Sequence, residues 1–210
     1  MHIIKLPGLS DYLETLALQE NLVSAHQNDP ELDDHLLLLE HKGVYTIGHT
    51  RDQSSLHPGT QLPYPVHEIG RGGQATYHGP GQLVGYPITD LNRCGRDLHR
   101  YINSIEHTLI RTCAEFGVQA KLRDGLVGVW VENRKIASIG VGVKKWVTMH
   151  GFAINITAES LPPFQAITPC GIDGVTMTCL ENEMPASANK ADLLSRFAKA
   201  FAHNWTYRTN

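Results

Sequence analysis

The stretch "GLVGVWVENRKIASIGVGVKKWVTMHGFAINI" (Gly125–Ile156) decides the fold. It is rich in Val, Ile and small residues, and it is broken at Asn133 and at Lys144-Lys145. Such a pattern reads as three consecutive strands joined by tight turns, the meander of an antiparallel sheet. Upstream, "RDLHRYINSIEHTLIRTCAEFG" spaces Leu98, Tyr101, Ile102, Ile105, Leu109 and Cys113 along one helical face, and Gly117 can end it. Downstream, "NKADLLSRFAKAFAHNW" is a terminal amphipathic helix. Towards the N-terminus, "DYLETLALQENLVSAHQ" (Asp11–Gln27) forms a helix with Leu13, Leu16, Leu18, Leu22 and Val23 as its apolar face, capped by Ser10 or Asp11. "HLLLLEHKGVYTIGHT" reads as two strands meeting near Lys42-Gly43, "VHEIGRGG" as a strand running into a glycine turn, and "GQLVGYPITDL" as a further strand. Residues 51–65 form a polar loop, and residues 157–187 are irregular. Strands bunched between helices predict an α/β (α+β) fold, a mixed sheet flanked by helices packed against one face, in a single domain spanning residues 1–210.

The composition fits that class. The chain has 210 residues, 41% hydrophobic and 19% charged, long enough to bury a sizeable core. A net charge of −3 argues against a nucleic-acid partner, which calls for a basic surplus. No apolar run approaches the roughly 18 residues of a membrane span, and the N-terminus has no signal-peptide pattern. The four cysteines form no CxxC pair, which points to free thiols in a reducing cytoplasm. The twelve histidines are scattered without ligand spacing, so no metal is expected.

A second stretch, "EIGRGGQATYHGPGQLVGYPI" (Glu68–Ile88), concentrates glycines around a lone arginine and a histidine. It lacks the GK[ST] of a P-loop, and no GxGxxG opens a helix. By spacing alone it is a glycine-rich hairpin. Polar groups on a backbone that can approach a ligand closely also suit a binding loop.

Three segments carry a family resemblance. "RGGQATYHGPGQLVGYPI", "RKIASIGVGVKKWVTMHGFAINI" and "ITPCGI" (Ile167–Ile172) resemble, in the same order, the signature blocks of the octanoyl/lipoyl transferases within the biotin/lipoate protein ligase superfamily. The resemblance runs from the first helix to about Leu180. It implies a ligase-like catalytic domain that carries an acyl group on a cysteine thioester.

Acyl transfer of this kind needs a thiol nucleophile, a group that favours its thiolate, and donors for the tetrahedral oxyanion. Cys170 lies between Pro169 and Gly171, a turn context that suits an exposed thiol, whereas Cys113 lies on an apolar helix face. Cys94 lies in a polar connection with no evident activating neighbour in sequence, and Cys179, in "MTCLENE", is open to either reading. Among the lysines, Lys144 and Lys145 sit in a turn and read as solvated charges, while Lys135 opens the apolar strand "KIASIGVGV", where an ammonium can be partly desolvated. The resemblance places the family's nucleophile on Cys170 and its catalytic lysine on Lys135. By the same matching, Arg71, Gly72, Gly73, Gln74, Ala75, Thr76, Tyr77 and His78 line the acyl pocket, completed by Ser138, Ile139 and Gly140 and by Gly151, Phe152 and Ala153. His78 is read as a positioning group.

The activity implied is transfer of an octanoyl (or lipoyl) group from acyl carrier protein to a lysine of a lipoyl domain, as in the 2-oxoacid dehydrogenases and the glycine cleavage H protein. No cofactor and no membrane partner are implied. The alternative is a lipoate or biotin ligase that activates a free acid with ATP, and a third reading is a non-enzymatic module that docks lipoyl domains. Cys170 favours the transferase, because a ligase needs no thiol nucleophile.

Overall fold

The computed structural model describes residues 1–48, 55–56, 61–171, 174–205 and 207, with Cys170 described by its backbone. Asp11 caps helix α1 (Tyr12–Asn28), its Oδ1 accepting from the Leu13 and Glu14 amides at 2.9 and 3.3 Å. The strands are β1 (His2–Ser10), β2 (His35–His41), β3 (Val44–Ile47), β4 (Val66–Glu68), β5 (Thr76–His78), β6 (Gln82–Ile88), β7 (Lys121–Arg123), β8 (Leu126–Val131), β9 (Arg134–Lys144), β10 (Val147–Asn155) and β11 (Thr176–Met177). The remaining helices are α2 (Leu98–Glu115), α3 (Leu180–Glu183) and α4 (Leu193–Asn204), with short 3₁₀ turns between residues 158 and 171.

The main sheet runs β1-β2-β6-β10-β9-β8-β7, and β11 joins β9 in parallel. The β8–β9–β10 meander is antiparallel. It turns between β9 and β10 through Lys145 and Trp146, at φ +52° and +68°. Two positive φ values at the tip make this the type I′ hairpin that suits sheet twist. A second, three-stranded sheet, β4-β3-β5, stands apart. The two strands of "HLLLLEHKGVYTIG" therefore enter different sheets.

The sheet is covered on both faces, not on one. The run Leu36–Leu39 shows why. A continuous apolar strand has no face to offer water. Leu36 and Leu38 join a core with Tyr101, Ile105 and Leu109 of α2 and Phe197 and Phe201 of α4. Leu37 and Leu39 join a second core with Val84, Ile88 and Val23 of α1. Phe152 and Phe201 meet at 4.4 Å between ring centroids, and burying each such ring stabilises the fold by roughly 2 kcal/mol. Gly117, at φ +77°, follows the end of α2.

Helix α1 departs from its apolar pattern. Its buried residues are Tyr12, Thr15, Gln19, Val23 and His26, whereas Leu13 is 52% exposed. The face that docks on β6 and β10 is mostly polar: Tyr12 reaches the cavity described next, Thr15 Oγ1 donates to the Asp11 carbonyl, and Gln19 Oε1 accepts from the His150 amide. Among the described residues no helix is long and apolar enough to cross a membrane.

Candidate active site

The glycine-rich stretch is not a simple hairpin. Between β4 and β5 the chain crosses over β9, where the Gly72 amide donates to the Val141 carbonyl at 3.2 Å. This crossing needs bare backbone below it. A Cβ on Gly140 would lie 3.0 Å from Arg71 Cδ and 3.1 Å from the Gly72 carbonyl oxygen, and one on Gly142 would lie 2.7 Å from the Gly70 oxygen. The glycines of "IGVG" thus make room for the loop that covers them.

Under that loop lies a cavity of about 260 Å³. It is somewhat smaller than the roughly 300–1,000 Å³ of drug-sized sites, a scale that suits one slender chain. Arg71, Gly73, Gln74, Thr76 and His78 line one wall, and Lys135, Ser138, Ile139 and Gly140 of β9 another. Gly151, Phe152 and Ala153 of β10 also face it. The surface is mostly apolar, with a polar group at intervals.

Strand alternation divides the rest of the matched stretch. Successive side chains of a strand point to opposite faces. Thr76 and His78 of β5 therefore face the cavity, while Ala75 and Tyr77 pack away from it with Tyr45, Ile47, Phe164 and Ile167. Gly72 does not line the cavity but takes part through its backbone, its carbonyl accepting from Arg71 Nη1 at 2.9 Å. Arg71 is buried. Its Nη2 donates to the carbonyl and the hydroxyl of Thr46, each at 2.8 Å, so the guanidinium is fixed by the small sheet.

Residues that the matching did not assign to the pocket complete the wall: Tyr12 at the start of α1, Tyr86 of β6, His150 of β10, Gly125 of the β7–β8 turn, and Leu126 and Val127 at the start of β8. Local sequence carries only a faint signal for them. His150 adjoins "GFA", and Tyr86 shares a strand face with Val84 and Ile88. Nothing in the α1 periodicity marks Tyr12.

The polar side of the cavity is a set of neutral rings. Tyr12 stacks on His78 at 6.3 Å and lies 5.1 Å from His41. His41 Nδ1 lies 3.2 Å from the Ser10 carbonyl, which can only accept, so this nitrogen carries the proton. The Tyr86 hydroxyl then donates to His41 Nε2 at 2.8 Å. His78 Nδ1 lies 2.8 Å from Gln82 Oε1, Gln82 Nε2 donates to Asn155 Oδ1, and Asn155 Nδ2 donates to the Thr178 carbonyl. This relay fixes the His78 ring and turns its Nε2 away from Gln82. Burial pushes His78 down to about 3, with His41 and Arg71 adding to the shift. Burial and Arg71 push His150 down to about 4, and burial takes His41 to about 4. Thr76 Oγ1 and His150 Nε2 are buried with no partner among the described residues, so a ligand's polar atoms can meet them.

Lys135 is 1% exposed, and its Nζ lies 5.4 Å from the centre of the Trp130 ring. The Thr178 amide donates to its carbonyl at 2.9 Å, which ties β11 to β9 beside the site. Arg134, next in line, grips Glu183 with two bonds of 2.8 and 3.0 Å and secures the same segment.

Cys170 belongs by its backbone to the short 3₁₀ turn Pro169–Gly171, and its side chain lies outside the described residues. The turn itself abuts the cavity wall. A Cβ on Gly171 would fall 1.6 Å from Oε1 of Gln74, a lining residue. The Thr168 amide, one turn back, donates to the Ser55 carbonyl, and Ser55 Oγ accepts from the Ala75 amide. The other cysteines are elsewhere. Cys113 is in the α2 core with its thiol pushed up to about 12 by burial, Cys179 is buried, and Cys94 lies beside Asp90. Among the described residues no group of three or more His, Cys, Asp or Glu is placed to hold a metal ion.

Residues 11–202 match the family model of the lipoyl protein ligase A/B catalytic domain. An octanoyltransferase of Geobacter sulfurreducens is 48% identical over 202 residues, which cover 96% of this chain and 83% of that protein. An octanoyltransferase of Geotalea uraniireducens is 46% identical over 201 residues, covering 96% and 91%. In three dimensions the chain is similar to the bi-partite lipoate protein ligase of Thermoplasma acidophilum, with a TM-score of 0.64 at 13% identity over 100% of this chain and 86% of that one. That likeness shows the mixed-sheet fold.

Proposed function

The chain belongs to the lipoyl protein ligase A/B catalytic domain family, and we infer that it is an octanoyltransferase, an acyltransferase that delivers octanoyl groups to lipoyl-domain proteins. We propose further that Cys170 carries the acyl group and that Lys135 is its partner. The observation that carries this assignment is Lys135 itself. It is a buried lysine in the wall of a small, mostly apolar cavity, and the turn holding Cys170 abuts that wall through Gln74.

In the first half-reaction the Cys170 thiolate adds to the carbonyl of octanoyl-acyl carrier protein. The tetrahedral oxyanion collapses, the carrier's sulfur leaves, and the Lys135 ammonium gives it a proton. In the second half-reaction a lysine amine of the acceptor attacks the Cys170 thioester. Lys135, now neutral, takes the proton lost by that amine, and the Cys170 thiolate is released. One thioester replaces another, and then an amide replaces a thioester. The first exchange is nearly balanced and the second is downhill, so the activated donor supplies the drive that ATP supplies to a ligase.

Arg71, Gly73, Gln74, Thr76 and His78 close over the acyl chain, against Ile139, Gly140, Gly151, Phe152 and Ala153. His78 positions the reacting groups. Its Nδ1 is committed to Gln82, and a ring pushed down to about 3 is a weak base but a sound hydrogen-bond acceptor. The lipoyl domains of 2-oxoacid dehydrogenases and the glycine cleavage H protein are the acceptors that fit this chemistry.

The test is the intact mass of the protein after incubation with octanoyl-acyl carrier protein in the absence of ATP. A gain of one octanoyl group that Cys170→Ala abolishes is the expected result. Octanoylation of an acceptor lipoyl domain only with free octanoate and ATP, with no adduct on this protein, would instead make the chain a ligase.

A further inference from the structure

We propose that Glu106 is a positioning residue for Lys135, acting through the backbone of Gly128. The inference rests on the Cys170/Lys135 reading given above.

Glu106 is an acid on the inward face of α2, 5% exposed, among Tyr101, Ile105, Leu109 and Cys113. A carboxylate in such a place needs a purpose, because burying one is costly unless it is hydrogen-bonded. Its Oε1 accepts from the Gly128 amide at 2.8 Å. Gly128 sits where β8 loses its regular pairing with β9. Val129 pairs with Ala137 but Trp130 pairs with Lys135, so Ile136 is an extra residue on β9. A bulge of this kind re-aims the side chains beside it.

The side chain re-aimed is that of Lys135, and Gly128 gives it room. Gly128 lies at φ +128°, a conformation that glycine adopts freely. A Cβ there would stand 2.7 Å from Lys135 Cε, 3.2 Å from Nζ and 2.7 Å from the Ala137 oxygen. The lysine stem therefore runs over the bare Gly128 backbone, with the Trp130 ring on a further side. Glu106 holds the same residue from beneath through its only backbone donor. One glycine thus both receives the Glu106 bond and forms the floor beneath the Lys135 ammonium. If that bond is removed, the floor shifts and the ammonium moves from the reacting sulfur, with no change to the walls that bind the acyl chain.

Single-turnover acylation, read by intact mass, separates this role from others. Glu106→Ala slows acylation by about tenfold to a hundredfold, the scale of an ångström-sized misplacement, and leaves the KM for octanoyl-acyl carrier protein unchanged. Glu106→Gln, whose amide oxygen can still accept from Gly128, recovers most of the rate. Gly128→Ala keeps Glu106 but crowds Lys135, and it shows the same fall in kcat. A folded Glu106→Ala or Gly128→Ala protein with wild-type kcat overturns the proposal. So does Glu106→Gln as slow as Glu106→Ala, which would make charge and not the hydrogen bond the cause. Lys135→Ala is assayed alongside. If it acylates normally, the Cys170/Lys135 reading fails; if it is slow while Glu106→Ala is normal, only the Glu106 role fails.

Discussion

Lowering the pH should unfold this protein well above the range in which carboxylates titrate, because His41, His78 and His150 are held neutral in the fold. Burial pushes them to about 4, 3 and 4, from a usual value near 6.5. A base whose folded pKa is depressed binds fewer protons folded than unfolded, so stability falls as the pH drops below the unfolded value. At pH 7 each ring is nearly neutral in both states. At pH 6 each costs somewhat under about 1 kcal/mol relative to pH 7, and at pH 5 about 2 kcal/mol, since the unfolded ring is charged and the folded one is not. Three rings then remove about 6 kcal/mol at pH 5, comparable with the whole stability of many domains. His26 and His35 are displaced in the same direction by burial and add to the trend. The assay is urea unfolding at pH 7, 6 and 5, followed by the fluorescence of the three tryptophans. The free energy of unfolding should fall with a slope near pH 5.5 equal to the uptake of about three protons. Each His→Gln substitution that still folds should lower that slope by about one proton. A free energy unchanged between pH 7 and 5 would refute the buried, neutral histidine wall.

Four further outcomes can be checked. Lys135→Ala should slow acylation of Cys170 strongly while the thermal melt and far-ultraviolet circular dichroism show a folded protein; normal acylation would sink the dyad. Gly140→Val should lower affinity for the octanoyl donor, because its Cβ would stand 3.0 Å from Arg71 Cδ and 3.1 Å from the Gly72 oxygen and lift the loop from β9, an effect read as a rise in KM. Gly73→Val should also impair donor binding, but through its backbone: Gly73 lies at φ +86°, and among the described residues a Cβ there would meet only Arg71 Nη1, at 3.4 Å, so Gly73→Ala should share most of the loss, whereas a purely steric effect would spare it. Tyr86→Phe removes the donor to His41 Nε2 and should cost about 1 kcal/mol in chemical denaturation, with no change if that bond is absent in solution.

The covering of the sheet could be read in part from the chain. Leu36–Leu39 leaves no face for water, and the helical face of α2 is plain in its spacing. The α1 face was not legible. Leu13 invites burial by type but is exposed, while Gln19 is buried with its Oε1 accepting from the His150 amide at 2.7 Å. Gln19 is buried because it meets a β10 backbone amide, a partner some 130 residues away in sequence.

The strand meander, the glycine stretch, the lysine near the start of β9 and the three blocks in order are legible in the chain before it folds. These are local patterns of period, turn chemistry and residue type, and they survive without knowledge of any partner. Tertiary structure alone decided which side of each strand faces the cavity. It turned Thr76 and His78 inwards and Ala75 and Tyr77 outwards, brought Tyr12, Tyr86 and His150 to the wall, and laid Gly128 between Glu106 and Lys135. Alternation specifies that neighbours on a strand oppose one another, but only packing against the loop, α1 and α2 chooses which of the two faces becomes the site.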